Sequence, residues 1–131
     1  MLKKKRVLVI EDDLVSRGLI EAALLDHYSI TFCENVDQAE LQLSNHDIVL
    51  TDHKPSGRPG LDLMKTTSCP IPVIGMSGMS RADIESLEKP SFGGKLTTFL
   101  QKPFEPKTLL EEISKGLKSK RKLLLKVLLP E

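Results

Sequence analysis

The sequence predicts one α/β domain built on a five-stranded parallel sheet with helices on both faces. Three observations carry that prediction. Short, near-continuous apolar runs recur at Val7 to Ile10, Ile48 to Leu50 and Ile71 to Ile74, as strands covered on both faces must. Longer segments with apolar residues at helical spacing separate them. At 131 residues the chain can bury a core in one domain and is too short for two ordinary ones.

Taken in order, Val7 to Ile10 reads as the first strand, and Val15, Leu19, Ala22 and Leu25 as the apolar face of the helix after it. Ser29 to Cys33 alternates, with Ile30 and Phe32 on one face, as an outer strand does. Val36, Ala39 and Leu43 keep helical spacing before the third strand, Ile48 to Leu50. A short helix is expected near Leu61, ahead of the fourth strand at Ile71 to Ile74. The next helix starts at Ser80, where Asp83 makes a capping-box-like pair, and ends at Lys89-Pro90. Thr97 to Gln101 is the fifth strand. Pro106 suits the first position of a last helix carrying Leu110, Ile113 and Leu117. Five β-α units in a row need right-handed crossovers, which place helices on both faces. In such open sheets a ligand sits beyond the carboxyl ends of the strands, where strand order reverses.

Composition narrows the class. Hydrophobic residues make up 40% and charged residues 28%, a soluble globular balance. The net charge of +1 hides two basic clusters, Lys3 to Arg6 at the start and Lys115, Lys118, Lys120, Arg121, Lys122 and Lys126 near the end. In a chain this neutral they read as a solvated face rather than a nucleic-acid track. Cys33 and Cys69 have no CxxC spacing, so they suggest thiols of a reducing compartment, not zinc ligands or a disulfide. No apolar stretch reaches signal-peptide or membrane-spanning form, and a cytoplasmic protein is expected.

The chemistry lies at the predicted strand ends. Glu11, Asp12 and Asp13 follow the first strand, Asp52 the third and Ser77 the fourth, and Lys102 lies near the end of the fifth. A parallel sheet brings all of these to one edge, and no packing pattern requires them there. Three carboxylates (Glu11, Asp12, Asp52) against one ammonium (Lys102) leave an excess of about two negative charges, which a hard dication such as Mg²⁺ would neutralise. A carboxylate can then attack phosphorus and form an acyl phosphate, with Lys102 and the Ser77 hydroxyl on the phosphoryl oxygens. The duller reading makes Asp13 a helix cap and Ser77 a turn residue. His27, His46 and His53 lack metal-ligand spacing.

The segments Val7 to Asp13, Asp47 to Asp52, Pro72 to Gly78 and Lys102-Pro103-Phe104 resemble the receiver domains of bacterial two-component response regulators, of the stand-alone chemotaxis-receiver kind. The resemblance spans roughly residues 5 to 120. It implies a flavodoxin-like (βα)5 fold with strand order 2-1-3-4-5. It further implies Asp52 as phosphoacceptor, with Mg²⁺ or Mn²⁺ on Glu11, Asp12, Asp52 and the backbone carbonyl of Lys54. Ser77 and Lys102 would contact the phosphoryl group, the Lys102-Pro103 bond would be cis, and Ser77 with Phe99 would form the conformational switch. Gly60 falls where such domains usually carry glycine. The partners implied are a sensor histidine kinase or histidine phosphotransfer protein, and a downstream protein target. Such a domain catalyses its own phosphorylation and slow dephosphorylation while serving mainly as a signalling switch.

The sequence departs from that family after Asp52, where His53-Lys54-Pro55-Ser56 replaces the usual hydrophobic run, and Lys54 brings an ammonium to the mouth of the site. The stretch from Asp52 to Ser77 is short for the family and that from Ser80 to Thr97 long. Two other readings compete. A receiver acting as a phosphorylation-independent binding module remains open because of Lys54. An aspartate-nucleophile phosphatase is disfavoured, since no aspartate stands two residues after Asp12. The expected division is a receiver over 1–122 and an apolar extension of the last helix over 123–131. That leaves no room for a DNA-binding domain. The leucines of the extension suggest burial against a second copy or a partner.

Overall fold

The computed structural model describes residues 3–52, 57, 71–78 and 96–128; for 96–99 and 119–128 it describes the backbone. The elements run β1 (Arg6–Ile10), α1 (Leu14–Leu24), β2 (Ser29–Cys33), α2 (Val36–Glu40), a 3-10 turn (Leu43–Asn45), β3 (Ile48–Asp52), β4 (Val73–Ser77), β5 (Leu96–Gln101) and α3 (Pro106–Leu128). The five strands form one parallel sheet in the order β2-β1-β3-β4-β5, as the resemblance implied. The helices expected near Leu61 and Ser80 lie outside the described residues.

The alternation of side chains along each strand divides the core in two. Val7 and Val9 of β1 join Ile48, Leu50, Ile74 and Met76 on one face, beneath Ile20 and Leu24 of α1 and Leu109 and Ile113 of α3. Leu8 and Ile10 point the other way, joining Val49, Val73 and Cys33 beneath Val36, Ala39 and Leu43. Both faces are thus covered. The apolar runs of β1, β3 and β4 are continuous because neither face of those strands meets water. On the outer strand β2, Ile30 and Phe32 lean on the first of these clusters while Cys33 belongs to the second.

Three local expectations change. The fourth strand begins at Val73 rather than Ile71; Pro72 has no amide to donate, and its carbonyl accepts from Val49 N at 3.0 Å just outside the ladder. The second helix stops at Glu40 and passes into a 3-10 turn, which still buries Leu43. The largest change is on α1. Its predicted apolar face is the solvent face: Val15 is 72% exposed and Leu19 68%, whereas Ile20 is 1%. Ile20, Ala23 and Leu24 make a second apolar stripe of the same period, and that one docks. Ile20→Ala should therefore cost about 3 kcal/mol and Leu19→Ala no more than about 0.5 kcal/mol in urea unfolding. Equal losses would return Leu19 to the core.

Candidate phosphoryl-acceptor site

The chain leaves β1 towards β2 on one side, and β3 lies on the other, so strand order reverses between β1 and β3. A crevice opens there beyond the carboxyl ends. The acids that follow β1 and end β3 border it.

Three consecutive acids meet three different fates. The amide of Glu11 donates to the Cys33 carbonyl at 3.0 Å, extending the β1–β2 ladder by one residue, and Glu11 is buried at 1% exposure. Asp12 is exposed at the crevice. Asp13 caps α1, its Oδ2 accepting from Ser16 N at 2.8 Å. The hydrogen bonds from Ser16 hold its carboxyl below the ordinary value. Asp13 is thus a helix cap, while its two predecessors stand beside Asp52 at the crevice.

One ligand oxygen each from Glu11, Asp12 and Asp52 lies within 4.8 Å of the others. Lys102 reaches in from the end of β5, where its amide donates to the Ser77 carbonyl at 2.7 Å and its bond to Pro103 is cis. Its Nζ is 2.6 Å from Glu11 Oε1 and 3.5 Å from Asp52 Oδ1. Burial pushes Asp52 above the usual carboxylate value, and the charges of Glu11 and Asp12 add to the rise; Lys102 only partly offsets it. For Lys102 burial acts downward, but the hydrogen bond it donates to Glu11 and the charge of Asp52 outweigh it and leave the ammonium raised.

With three carboxylates and one ammonium, the cluster is a hard, oxygen-only donor set with an uncompensated negative charge. That set fits a small dication binding a few carboxylates plus water, and gives nothing to a soft metal. Glu11 is half-committed to Lys102, which leaves Asp12 and Asp52 as the carboxylates open to the crevice.

Ser77 ends β4 with 7% exposure, one residue beyond Met76, the partner of Asp52 in the β3–β4 register. Phe99 stands in β5 opposite Gly75; its side chain, like Lys54 and Gly60, lies outside the described residues. His46 is spent on the Gln42 carbonyl, 2.7 Å from its Nδ1, and the His27 ring lies tilted beside Tyr28; His53 and Cys69 are outside the described residues. Cys33 is free and buried, its thiol pushed up to about 11 by burial.

Sequence reasoning missed Arg17. Its Nε donates to the Glu11 carbonyl and its guanidinium lies over the Phe32 ring, 5.5 Å from the centroid. It therefore clamps the backbone of the acidic turn to α1 and β2. The available signal was its place one turn past the Asp13 cap, where a long side chain can reach back to the strand exit.

No family model matches the chain. The regulatory protein VirG of Rhizobium rhizogenes is 29% identical over 121 residues, covering 88% of this chain and 49% of that protein. The chain thus spans about half the length of that curated relative. Among solved structures, the signal receiver domain of an HD domain-containing protein from Pseudomonas fluorescens Pf-5 superposes with a TM-score of 0.80, at 16% identity and 93% coverage of both chains. The chemotaxis response regulator CheY4 of Vibrio cholerae matches at 0.74, with 20% identity over 88% of this chain and all of that one. The receiver domain of a LuxO-type repressor from Vibrio parahaemolyticus matches at 0.76, with 23% identity and 98% coverage of both. The chain has the fold of response-regulator receiver domains.

Proposed function

We propose that this chain is a phosphorylation receiver of a two-component pathway, accepting a phosphoryl group on Asp52 with Mg²⁺ or Mn²⁺ as cofactor. One observation carries the reading: Asp52 ends β3 at the strand-order reversal, in ion-pair reach of Lys102 and within ligand distance of two further acids. Glu11, Asp12, Asp52 and the Lys54 carbonyl would hold the dication. When bound, it supplies the positive charge that lets an anionic phosphodonor approach.

An Asp52 oxygen attacks phosphorus, the bond from phosphorus to the donor breaks, and the donor leaves with the electron pair. With a phosphohistidine donor that bond is N–P; with acetyl phosphate it is O–P. Lys102 already lies between Glu11 and Asp52, so a small movement of its flexible stem carries the ammonium onto a phosphoryl oxygen. The Ser77 hydroxyl donates to a second oxygen. Its shift towards the phosphoryl group vacates space for Phe99, biasing two conformations that a downstream protein distinguishes.

The donor protein, a sensor histidine kinase or a histidine phosphotransfer protein, needs a surface beside the crevice. The first turns of α1 offer one, since Leu14 and Leu19 stand exposed directly after the acidic turn. A phosphorylation-independent binding module is the weaker reading, because Glu11, Asp12, Asp52 and Lys102 meet at one crevice, which binding alone does not require.

Incubation with acetyl phosphate and Mg²⁺, followed by intact-mass measurement, should add one phosphoryl group, and a chelator should abolish the addition. An unlabelled protein under saturating donor and Mg²⁺ would leave the binding-module reading in its place, and labelling indifferent to chelator would remove the dication from the reaction.

A further inference from the structure

The helix α3 is longer than the sheet it packs on. At about 1.5 Å per residue, its 23 residues span about 34 Å, against about 17 Å for a five-residue strand. It starts just past the carboxyl end of β5 and packs back across β5, β4 and β3, so it runs towards the amino edge of the sheet. Among the residues whose side chains are described, Leu117 is the last of α3 placed against the core. The remainder, roughly three turns, projects beyond the amino edge.

The composition of those turns is one-sided. Lys118, Lys120, Arg121 and Lys122 come first along the helix, then Leu123, Leu124 and Leu125, then Lys126, Val127 and Leu128. No acid stands between Glu112 and Glu131. A second basic group sits at the same edge, because Lys3, Lys4, Lys5 and Arg6 lead into β1. All four are exposed, and they line a shallow basin of about 390 Å³ with Ser44, Asn45, His46 and a single acid, Asp47, whose Oδ2 accepts from the Arg6 amide at 2.8 Å. Lys4 also holds the end of α1, its Nζ donating to the Leu25 carbonyl at 3.2 Å. Asp26 and Asp47 stand at this edge too, outnumbered by its lysines and arginines, while Glu11, Asp12, Asp13 and Asp52 are at the opposite edge. The domain is therefore charge-polarised along the strand direction.

We propose that the basic edge and the projecting turns of α3 dock this domain on an anionic lipid bilayer. A basic collar followed by a leucine tip matches the order met on entering a leaflet, phosphates first and acyl chains next. Lys126 has a stem long enough to return its ammonium to the headgroups. The projecting length is about half of a bilayer core, and no described helix is long and apolar enough to cross a membrane. The attachment is thus peripheral. Lys3 to Arg6 broaden the contact into a face, while the acidic crevice is held away from the anionic surface and open to its phosphodonor.

Charge decides against the other occupants. A second copy paired through the same turns sets five cations against five. A nucleic acid would use the lysines and leave the leucines unburied.

The test is co-sedimentation of the 131-residue chain with phosphatidylcholine vesicles, with and without phosphatidylglycerol. Binding is expected on the anionic vesicles alone, weakening with salt. Leu124→Ser with Leu128→Ser should weaken it about tenfold or more, as should Lys3→Gln with Lys5→Gln, which alters no helix or strand. Labelling by acetyl phosphate should be unchanged in both variants. No anionic preference, or wild-type binding by both variants, overturns the proposal. So does duplex DNA binding that survives the leucine changes, or a solution dimer that they dissolve while vesicles bind nothing.

Discussion

Lys102→Met should destabilise the metal-free protein by about 3 kcal/mol, because it strands the Glu11 carboxylate at 1% exposure with its nearest cation gone. The cost lies in the unpaired charge and not in the lost contact, so removing that charge should recover it. Glu11→Gln in the Lys102→Met background is expected to be more stable than Lys102→Met alone, giving a large coupling energy in the double-mutant cycle. The pH dependence has a definite sign. Lys102 is raised in the folded state, so its stabilising contribution is full below the ordinary lysine value and disappears as pH climbs through the raised one. The gap between wild type and Lys102→Met should hold across neutral pH and close only in strong alkali. Urea unfolding at several pH values checks this; a variant within about 0.5 kcal/mol of wild type at pH 7 would remove Glu11 and Lys102 as a coupled pair.

Asp52→Asn should reduce acetyl-phosphate labelling to background and, without metal, make the protein more stable than wild type. Asp52 is raised by burial and by its acidic neighbours, so the folded state disfavours its charged form. A raised folded value means that the native protein binds the extra proton, and stability falls as pH rises from the ordinary carboxylate value through the raised one. Asparagine removes that loss. The advantage should be full at neutral pH and should vanish below the ordinary carboxylate value, where wild-type Asp52 is protonated in both states. Saturating Mg²⁺ should reverse the ranking, since a dication bound to the native state alone stabilises wild type more than a variant lacking one ligand. Thermal unfolding with and without Mg²⁺ measures both effects. A wild type already more stable than Asp52→Asn in chelator would contradict the electrostatic account. Label surviving in Asp52→Asn would move the acceptor elsewhere.

The order and type of the described elements were legible in the sequence because they rest on local chemistry. β2 takes the span its alternation marks, and α3 begins at the proline that suits a first helical position. The gathering of Glu11, Asp12 and Asp52 followed as well, since a parallel sheet sends every strand's carboxyl end to one edge whatever the side chains are.

Tertiary packing decided what periodicity leaves degenerate. α1 carries two apolar stripes of equal period, through Leu19 and through Ile20, and only the sheet's position selects the second. The 3-10 turn after α2 likewise keeps Leu43 on the core where a continued α-helix was expected. At the site, Lys102 rests closer to Glu11 than to Asp52, and Arg17 closes over the same turn. The Lys102–Glu11 contact joins residues 91 positions apart. A sequence pattern names which charges reach the crevice; which pair closes there depends on burial, and Glu11 lies deeper than Asp52.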